Sequence, residues 1–368
     1  MSNKTLSISF FASSLVSAYW NGAATYYRGL ARALHERGHK ITFFEPDAYQ
    51  RKEHRDLDSP EYADSIIFPA ETEGDVYKAL GSAQGCDVLV KASGVGVFDE
   101  LLEQAVLEYR STGSRVIFWD VDAPATLQRV QSNPGDPFLK LIPEYDLILT
   151  YGGGEPVSRA YGDLGARACI SVYNALDATT HFPVSPDPRF EASLSFLGNR
   201  LPDREERVWE FFFKPAQLLR QHGFTLGGSG WENGIPELPN LVRFGHVYSK
   251  DHNAFYCSSR AVLNVTRQSM VEFGYSPATR VFEVAGAGAC LISDAWEGIE
   301  NFLEPGRECL VARNGKEVAE ILYSLEPEHA CEIGQRALNR VLSEHTYTHR
   351  ARQVEEILLS LFDRKEYP

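Results

Sequence analysis

The first 150 residues switch between two periodicities. Short apolar runs, "LSISFF", "HKITFFE", "CDVLVKA", "SRVIFWD" and "YDLILT", read as buried strands. Between them "ATYYRGLARALHERG" places Tyr27, Leu30, Ala31 and Leu34 at helical spacing and closes on Gly38, and a second helical pattern lies near Phe98 to Tyr109. Strands of this length alternating with helices predict a parallel sheet covered on both faces. Residues 182–193, "FPVSPDPRFEAS", break the alternation with three prolines and no period, and read as a linker. The pattern then restarts through "LSFLGN", the helix "REERVWEFFFKPAQLLRQHG", "FTLGG", "LVRFGHV", "AVLNVTR", "ACLISD" and "ECLVA". From Glu328 the chain reads as helical, ending in an amphipathic stretch. The prediction is an α/β protein of two Rossmann-like domains, 1–184 and 185–345, with a C-terminal helix over 346–368 whose apolar stripe needs a partner. Open sheets of this kind hold ligands at the carboxyl ends of their strands, here expected to face a shared cleft.

One stretch, "SPATRVFEVAGAGACLISD" (276–294), is apolar except for Arg280 and Glu283, charges that are expensive to bury unpaired. Ser276 followed by Pro277 reads as an N-cap and first helical residue, so that Ser276, Thr279, Arg280 and Glu283 form one polar stripe. A helix N-terminus beside an arginine suits an anion. A carboxylate about two turns away, ~10 Å at 1.5 Å per residue, suits a neutral hydroxyl-bearing group such as a ribose diol. Phosphates at one end and a diol at the other describe a nucleotide. Arg200 and Arg267, each just past a strand of the second domain, are expected to join Arg280 on a diphosphate, where they stabilise the charge that develops on a leaving group.

Several stretches in order, "YWNGAATYYRGLARALHERGH", "VIFWDVDAPAT", "YDLILTYGGGEP", "LSFLGNR", "GGSGW", "FGHV" and "YSPATRVFEVAGAGACLISDAWEGIENFLEPGRECLVA", resemble the group-1-like glycosyltransferases of GT-B fold, and among them the relatives of the spore-maturation protein CgeB. The resemblance implies a glycosyltransferase whose second domain grips a nucleotide-diphosphate sugar such as a UDP-sugar, with Glu283 on the ribose and the backbone of Gly245, His246 and Val247 at the base. It implies a loop containing Gly22 that touches the donor phosphates or the acceptor, a C-terminal helix over 346–368 that packs back on the first domain, and no cofactor. The sequence departs from many retaining members at Tyr275, where they carry a second glutamate that contacts the donor sugar. In "DVD", Asp120 ends a strand and is expected to reach the cleft as general base, or as a positioning group if configuration is retained. Asp122 is equally suited to supporting the next helix. A D-x-D tripeptide is also a metal–nucleotide motif of the GT-A fold, but the arginine–glutamate stripe provides a diphosphate site without a metal.

Composition narrows the partners. A formal charge of −14 over 368 residues disfavours nucleic acid. The beginning of the chain reads as a strand and not as a leader, no apolar run reaches 18 residues, and six scattered cysteines without a C-x-x-C pair fit reduced thiols in a cytoplasmic protein. The expected partners are therefore a nucleotide-sugar donor and a hydroxyl acceptor of unspecified class. Two rival readings remain: a nucleotide-sugar epimerase or hydrolase on the same fold, and a non-catalytic two-domain binding protein.

Overall fold

The computed structural model describes residues 4–17 and 23–363. The chain divides into two compact units, one running to Tyr173 and resuming at Tyr347, the other Asn174–Thr346. The first unit holds β1 (Ser7–Phe11), β2 (Lys40–Asp47), β3 (Asp64–Pro69), β4 (Val88–Ala92), β5 (Arg115–Asp120), β6 (Leu147–Thr150) and β7 (Cys169–Ser171), in the order β3-β2-β1-β4-β5-β6-β7. The second holds β8 (Ala192–Leu197), β9 (Phe224–Gly227), β10 (Leu241–Arg243), β11 (Ser259–Asn264), β12 (Leu291–Asp294) and β13 (Leu310–Ala312), in the order β10-β9-β8-β11-β12-β13. Every pairing is parallel. Both orders reverse direction once, between β1 and β4 and between β8 and β11, and such a reversal opens a crevice at the strands' carboxyl ends.

Strands covered on both faces are largely apolar, which is why β5 (RVIFWD) and β6 (LILT) read as runs rather than as alternations. In the second unit, Phe196, Leu226, Leu263 and Ile292 from four neighbouring strands meet Phe212, Val318 and Ile333 from the covering helices, all fully buried. The predicted helix over "REERVWEFFFKPAQLLRQHG" is α-helical over Pro202–Val208 and Lys214–Leu218, where it ends, and widens to a π-turn over Trp209–Phe213. Pro215 accounts for this, because proline has no N–H and its ring crowds the preceding turn.

The first unit ends later in the chain than its strands do. Tyr347 packs its ring where a side chain on Gly29 would stand, 2.1 Å from an ideal Cβ. Further along the helix Tyr347–Asp363, the Gln353 amide donates to the Ser171 carbonyl at 3.0 Å, and Glu355 accepts from Arg37 and lies 3.2 Å from the His39 ring. The division between units falls after Tyr173 rather than at 184. The proline-rich segment belongs inside the second unit, where Phe190 meets Phe244 edge-on and lies tilted against Phe255, and the Asp187 amide donates to Ser258 at 2.7 Å. Three prolines gave it the look of a linker, but aromatic contacts hold it.

Burial pushes the Glu355 carboxyl up, yet the hydrogen bond and charge of Arg37, with His39 beside it, hold it below its ordinary 4.5. A carboxylate with a lowered folded-state pKa adds stability above its unfolded pKa and loses it as pH falls through the folded value. Glu355→Gln is therefore expected to lower the melting temperature at pH 7, by an amount that shrinks steadily in melts below pH ~4. A pH-independent difference would reduce Glu355 to a packing contact.

Candidate functional site

The crevice of the second sheet is built around Gly198, the residue after β8. A Cβ there would lie 2.8 Å from Arg280 Nη2 and 2.9 Å from Arg204 Nη2, so two guanidiniums flank a backbone that carries no side chain. Both lie over the Phe196 ring, with the Arg280 carbon 5.1 Å and the Arg204 carbon 5.5 Å from its centroid. Arg204 is 9 % exposed and donates to the Asn199 carbonyl at 2.5 Å, while its Nε has no partner. Arg280 Nε and Nη1 are buried and also without partners. Among the described residues neither arginine forms an ion pair. Burial first, and the nearby Arg280 charge second, pull Arg204 down to about 9.

Arg204 was not singled out in the sequence, although a signal was there. It is the third residue of the helix that begins at Pro202, where the helix dipole disfavours a cation unless an anion is to be met. The expected trio forms only in part. Arg200 turns the other way, paired with Glu205, donating to the Asn233 carbonyl at 2.8 Å and lying over Trp231. Arg267 caps the helix Gln268–Phe273 and is held by Asp203 at 2.5 Å, close enough for its charge to act on Arg204.

The helix carrying Arg280 begins two residues later than the sequence suggested. It spans Thr279–Gly286 with Ala278 as N-cap, and Ser276 and Pro277 stand in the preceding loop. The Ser276 hydroxyl turns back to donate to the Gly274 carbonyl at 2.8 Å and is buried, so it caps no helix. Tyr275 forces this path, with a left-handed φ of 46° and an amide that donates to the Glu297 carbonyl at 2.6 Å. Thr279 opens the helix.

One turn beyond Arg280, Glu283 accepts from the Tyr256 hydroxyl at 3.1 Å. No ion pair joins Glu283 to Arg280 among the described residues, which removes the simple reading of neighbouring surface charges. Burial pushes Glu283 up, but the His181, His252 and Arg280 side chains and the tyrosine hydrogen bond together hold it below the ordinary carboxylate range. Gly245, His246 and Val247 follow β10, where the Gly245 carbonyl accepts from the Gly228 amide at 2.9 Å, the His246 ring meets Tyr248 edge-on, and Val247 is buried.

In the first unit, Asp120 is fully buried. Oδ1 accepts from Ser93 at 2.7 Å, the Asp122 amide at 3.0 Å and Thr126 at 3.1 Å, and Oδ2 accepts from Tyr161 at 2.5 Å. Burial raises its pKa against these four hydrogen bonds. A carboxylate so enclosed and so fully engaged is a brace for the loop after β5 rather than an exposed base, which corrects the expectation that it reaches the cleft as general base. Asp122 stands half-buried at the N-cap of the helix Ala123–Ser132. Gly22 lies outside the described residues.

Three comparisons bear on this geometry. A family model described as "Glycosyl transferase-like" matches residues 204–356, which include Arg204, Arg280 and Glu283. A search of curated proteins finds no match. The architecture is similar to that of sucrose-phosphate synthase from Thermosynechococcus elongatus, with a TM-score of 0.72 and 13 % identity over 97 % of this chain and 99 % of that one. It is also similar to Anabaena HepE in complex with UDP-glucose, at TM-score 0.70 and 12 % identity over 96 % and 100 % of the two chains. A glycosyltransferase from Rickettsia africae gives 0.68 and 11 % over 99 % and 100 %. The fold is that of the GT-B glycosyltransferases. No helix among the described residues is long and apolar enough to cross a membrane.

Two like charges held together in a buried place cost stability until an anion arrives. Arg204→Met is expected to leave the melting temperature of the ligand-free protein unchanged or higher. The same change should weaken binding of a nucleoside diphosphate at least tenfold, about 1.4 kcal/mol. Calorimetry and thermal melts check both, and an unaltered dissociation constant would remove Arg204 from the site.

Proposed function

We propose that the protein moves a sugar from a nucleoside-diphosphate sugar to a hydroxyl group of an acceptor. The observation that carries this reading is the pair Arg204 and Arg280, two guanidiniums without ion-pair partners at the carboxyl end of β8. In this reading they receive the diphosphate, with Arg267 adding charge from its place beside Asp203. As the sugar leaves, negative charge grows on the diphosphate, and fixed cations in a partly dehydrated site stabilise it without reorganising. No divalent ion is needed at the phosphates. Glu283 takes ribose hydroxyls, because the Tyr256 hydrogen bond fixes its carboxylate while leaving lone pairs to spare. The backbone of Gly245, His246 and Val247 meets the base, and the UDP-glucose bound by HepE supports uridine as the first base to try.

The acceptor belongs to the first unit in this proposal, and with Asp120 enclosed the role of its acid falls to Asp122, the other aspartate of the pair. If configuration inverts, Asp122 takes the acceptor's proton. If it is retained, Asp122 positions a hydroxyl. Kinship with the relatives of CgeB is the narrower part of the proposal and rests on the sequence stretches alone.

A panel of nucleotide sugars, followed by release of free nucleoside diphosphate, tests the reading. Slow release without acceptor is expected for a transferase, whereas tight binding with no release under any condition would make this a binding protein. Glu283→Gln should weaken the nucleoside diphosphate by roughly 1.5–3 kcal/mol, the value of a charge-assisted hydrogen bond. An unchanged dissociation constant in that variant would take the ribose away from Glu283.

A further inference from the structure

Glu283 has two neighbours that the nucleotide reading does not use. His181 lies in the segment before the prolines, and His252 shares a helix, Ser249–Cys257, with Tyr256 one turn on. One nitrogen of each imidazole and one oxygen of the Glu283 carboxylate lie within 4.8 Å of one another. The His252 Nε2 is 3.2 Å from the Val247 carbonyl, which only accepts, so the proton sits on Nε2 and Nδ1 presents a lone pair. That Nδ1 is buried without a hydrogen-bond partner. His181 is 6 % exposed; its Nδ1 is 3.0 Å from the Thr180 hydroxyl, and its Nε2 is likewise buried without a partner. The Asn253 side chain donates to the Thr180 carbonyl at 2.9 Å and accepts from the Phe182 amide at 3.4 Å, which clamps the His181 segment against the His252 helix.

We propose that His181 Nε2, His252 Nδ1 and Glu283 form a binding site for a transition-metal ion of the zinc class. Two buried imidazole nitrogens left without partners beside a carboxylate are costly unless one group satisfies them together. A ribose diol has two protons to give and leaves one of three acceptors unmet; one cation meets all three. Two imidazoles with a carboxylate suit zinc, and magnesium and calcium prefer all-oxygen surroundings. Zinc–ligand bonds of ~2.0–2.1 Å put tetrahedral ligands about 3.3 Å apart, so closure asks for small side-chain movements. The Val247 carbonyl on His252 and the Thr180 hydroxyl on His181 are the outer hydrogen bonds that orient ligating imidazoles. Three protein ligands leave a coordination position open. A carboxylate offers about four lone-pair sites, so Tyr256 and a metal leave Glu283 able to meet a ribose hydroxyl as well. The proposal goes beyond the nucleotide reading and does not depend on it.

The test is a zinc titration by calorimetry of the full chain stripped with EDTA, paired with the visible spectrum of the cobalt(II) form. One equivalent of zinc is expected, with four-coordinate cobalt bands and no thiolate charge-transfer band. His181→Ala and His252→Ala should each weaken zinc about 100-fold or more while preserving binding of nucleoside diphosphate through Arg204 and Arg280, which also shows that the variants fold. His181→Gln and His252→Gln provide the same reading should the alanine variants prove unstable. Zinc affinity unaltered in the histidine variants, or a thiolate band, would overturn the site. So would weaker nucleoside diphosphate binding in those variants with no zinc bound by the parent, since the lone pairs would then serve ribose hydroxyls. Loss of nucleotide binding in the parent protein, with zinc binding intact, would strike the proposed function alone.

Discussion

Two guanidiniums kept close together without a carboxylate between them set the terms for the second unit. Arg204 and Arg280 repel, and burial makes each charge dearer. They persist because the strand end beneath them is rigid. Gly198 has no side chain to push them apart, Phe196 offers both an aromatic face, and Asn199 takes a single hydrogen bond from Arg204. Arginines meant only for stability would be paired as Arg207 is, whose guanidinium meets Asp294 at 2.6 Å. The contrast between Arg207, satisfied, and Arg204, one turn earlier on the same stretch of helix and left waiting, separates scaffold from site.

The rigidity has a matching source in each sheet. Asp120 ends β5 and Asp294 ends β12, and in both sheets this is the second strand past the reversal, beyond β4 and β11. Both are fully buried, both are raised by burial, and both are surrounded by donors. Asp294 accepts from the Thr266 amide and hydroxyl as well as from Arg207, tying the loop after β11 to β12. Asp120 ties the loops after β4 and β5 together through Ser93, Thr126 and the Asp122 amide. A buried carboxylate with every oxygen engaged fixes the crevice loops of its own sheet, and the site residues inherit that order.

The fold was legible because periodicity records burial. Strands covered on both faces become apolar runs, and the helices between them show 3.6-residue stripes, so most elements could be read directly. Weakly apolar elements escaped: β3 is half-exposed, and β7 is a three-residue edge. The site was legible where one helix holds it, as with Arg280 and Glu283. It was illegible where tertiary structure decides. Arg200 and Arg204 are four residues apart on the same strand-to-helix turn, and only the position of Glu205 and Trp231 sends one outward and leaves the other in the crevice. His181 and His252 have no spacing that a sequence could announce. Asp120 misled because the end of a strand says where a side chain starts and nothing about what closes over it.

The loop before the Arg280 helix shows how one departure from a family pattern is absorbed. Position 275 carries a phenol where many retaining members of the family that the sequence resembles have a carboxylate, and it sits at a left-handed φ that a bulky side chain adopts only when its surroundings hold it there. Those surroundings are specific. The Tyr275 ring lies against Gly298, where a Cβ would come within 2.3 Å of it, and its hydroxyl donates to Glu297 Oε1 at 3.2 Å. The carboxylate missing from position 275 is therefore present one hydrogen bond away, on the loop that follows β12. Glu297 stands on a different loop from the helix that carries Arg280 and Glu283, so the carboxylate beside position 275 and that polar stripe are set by separate pieces of chain.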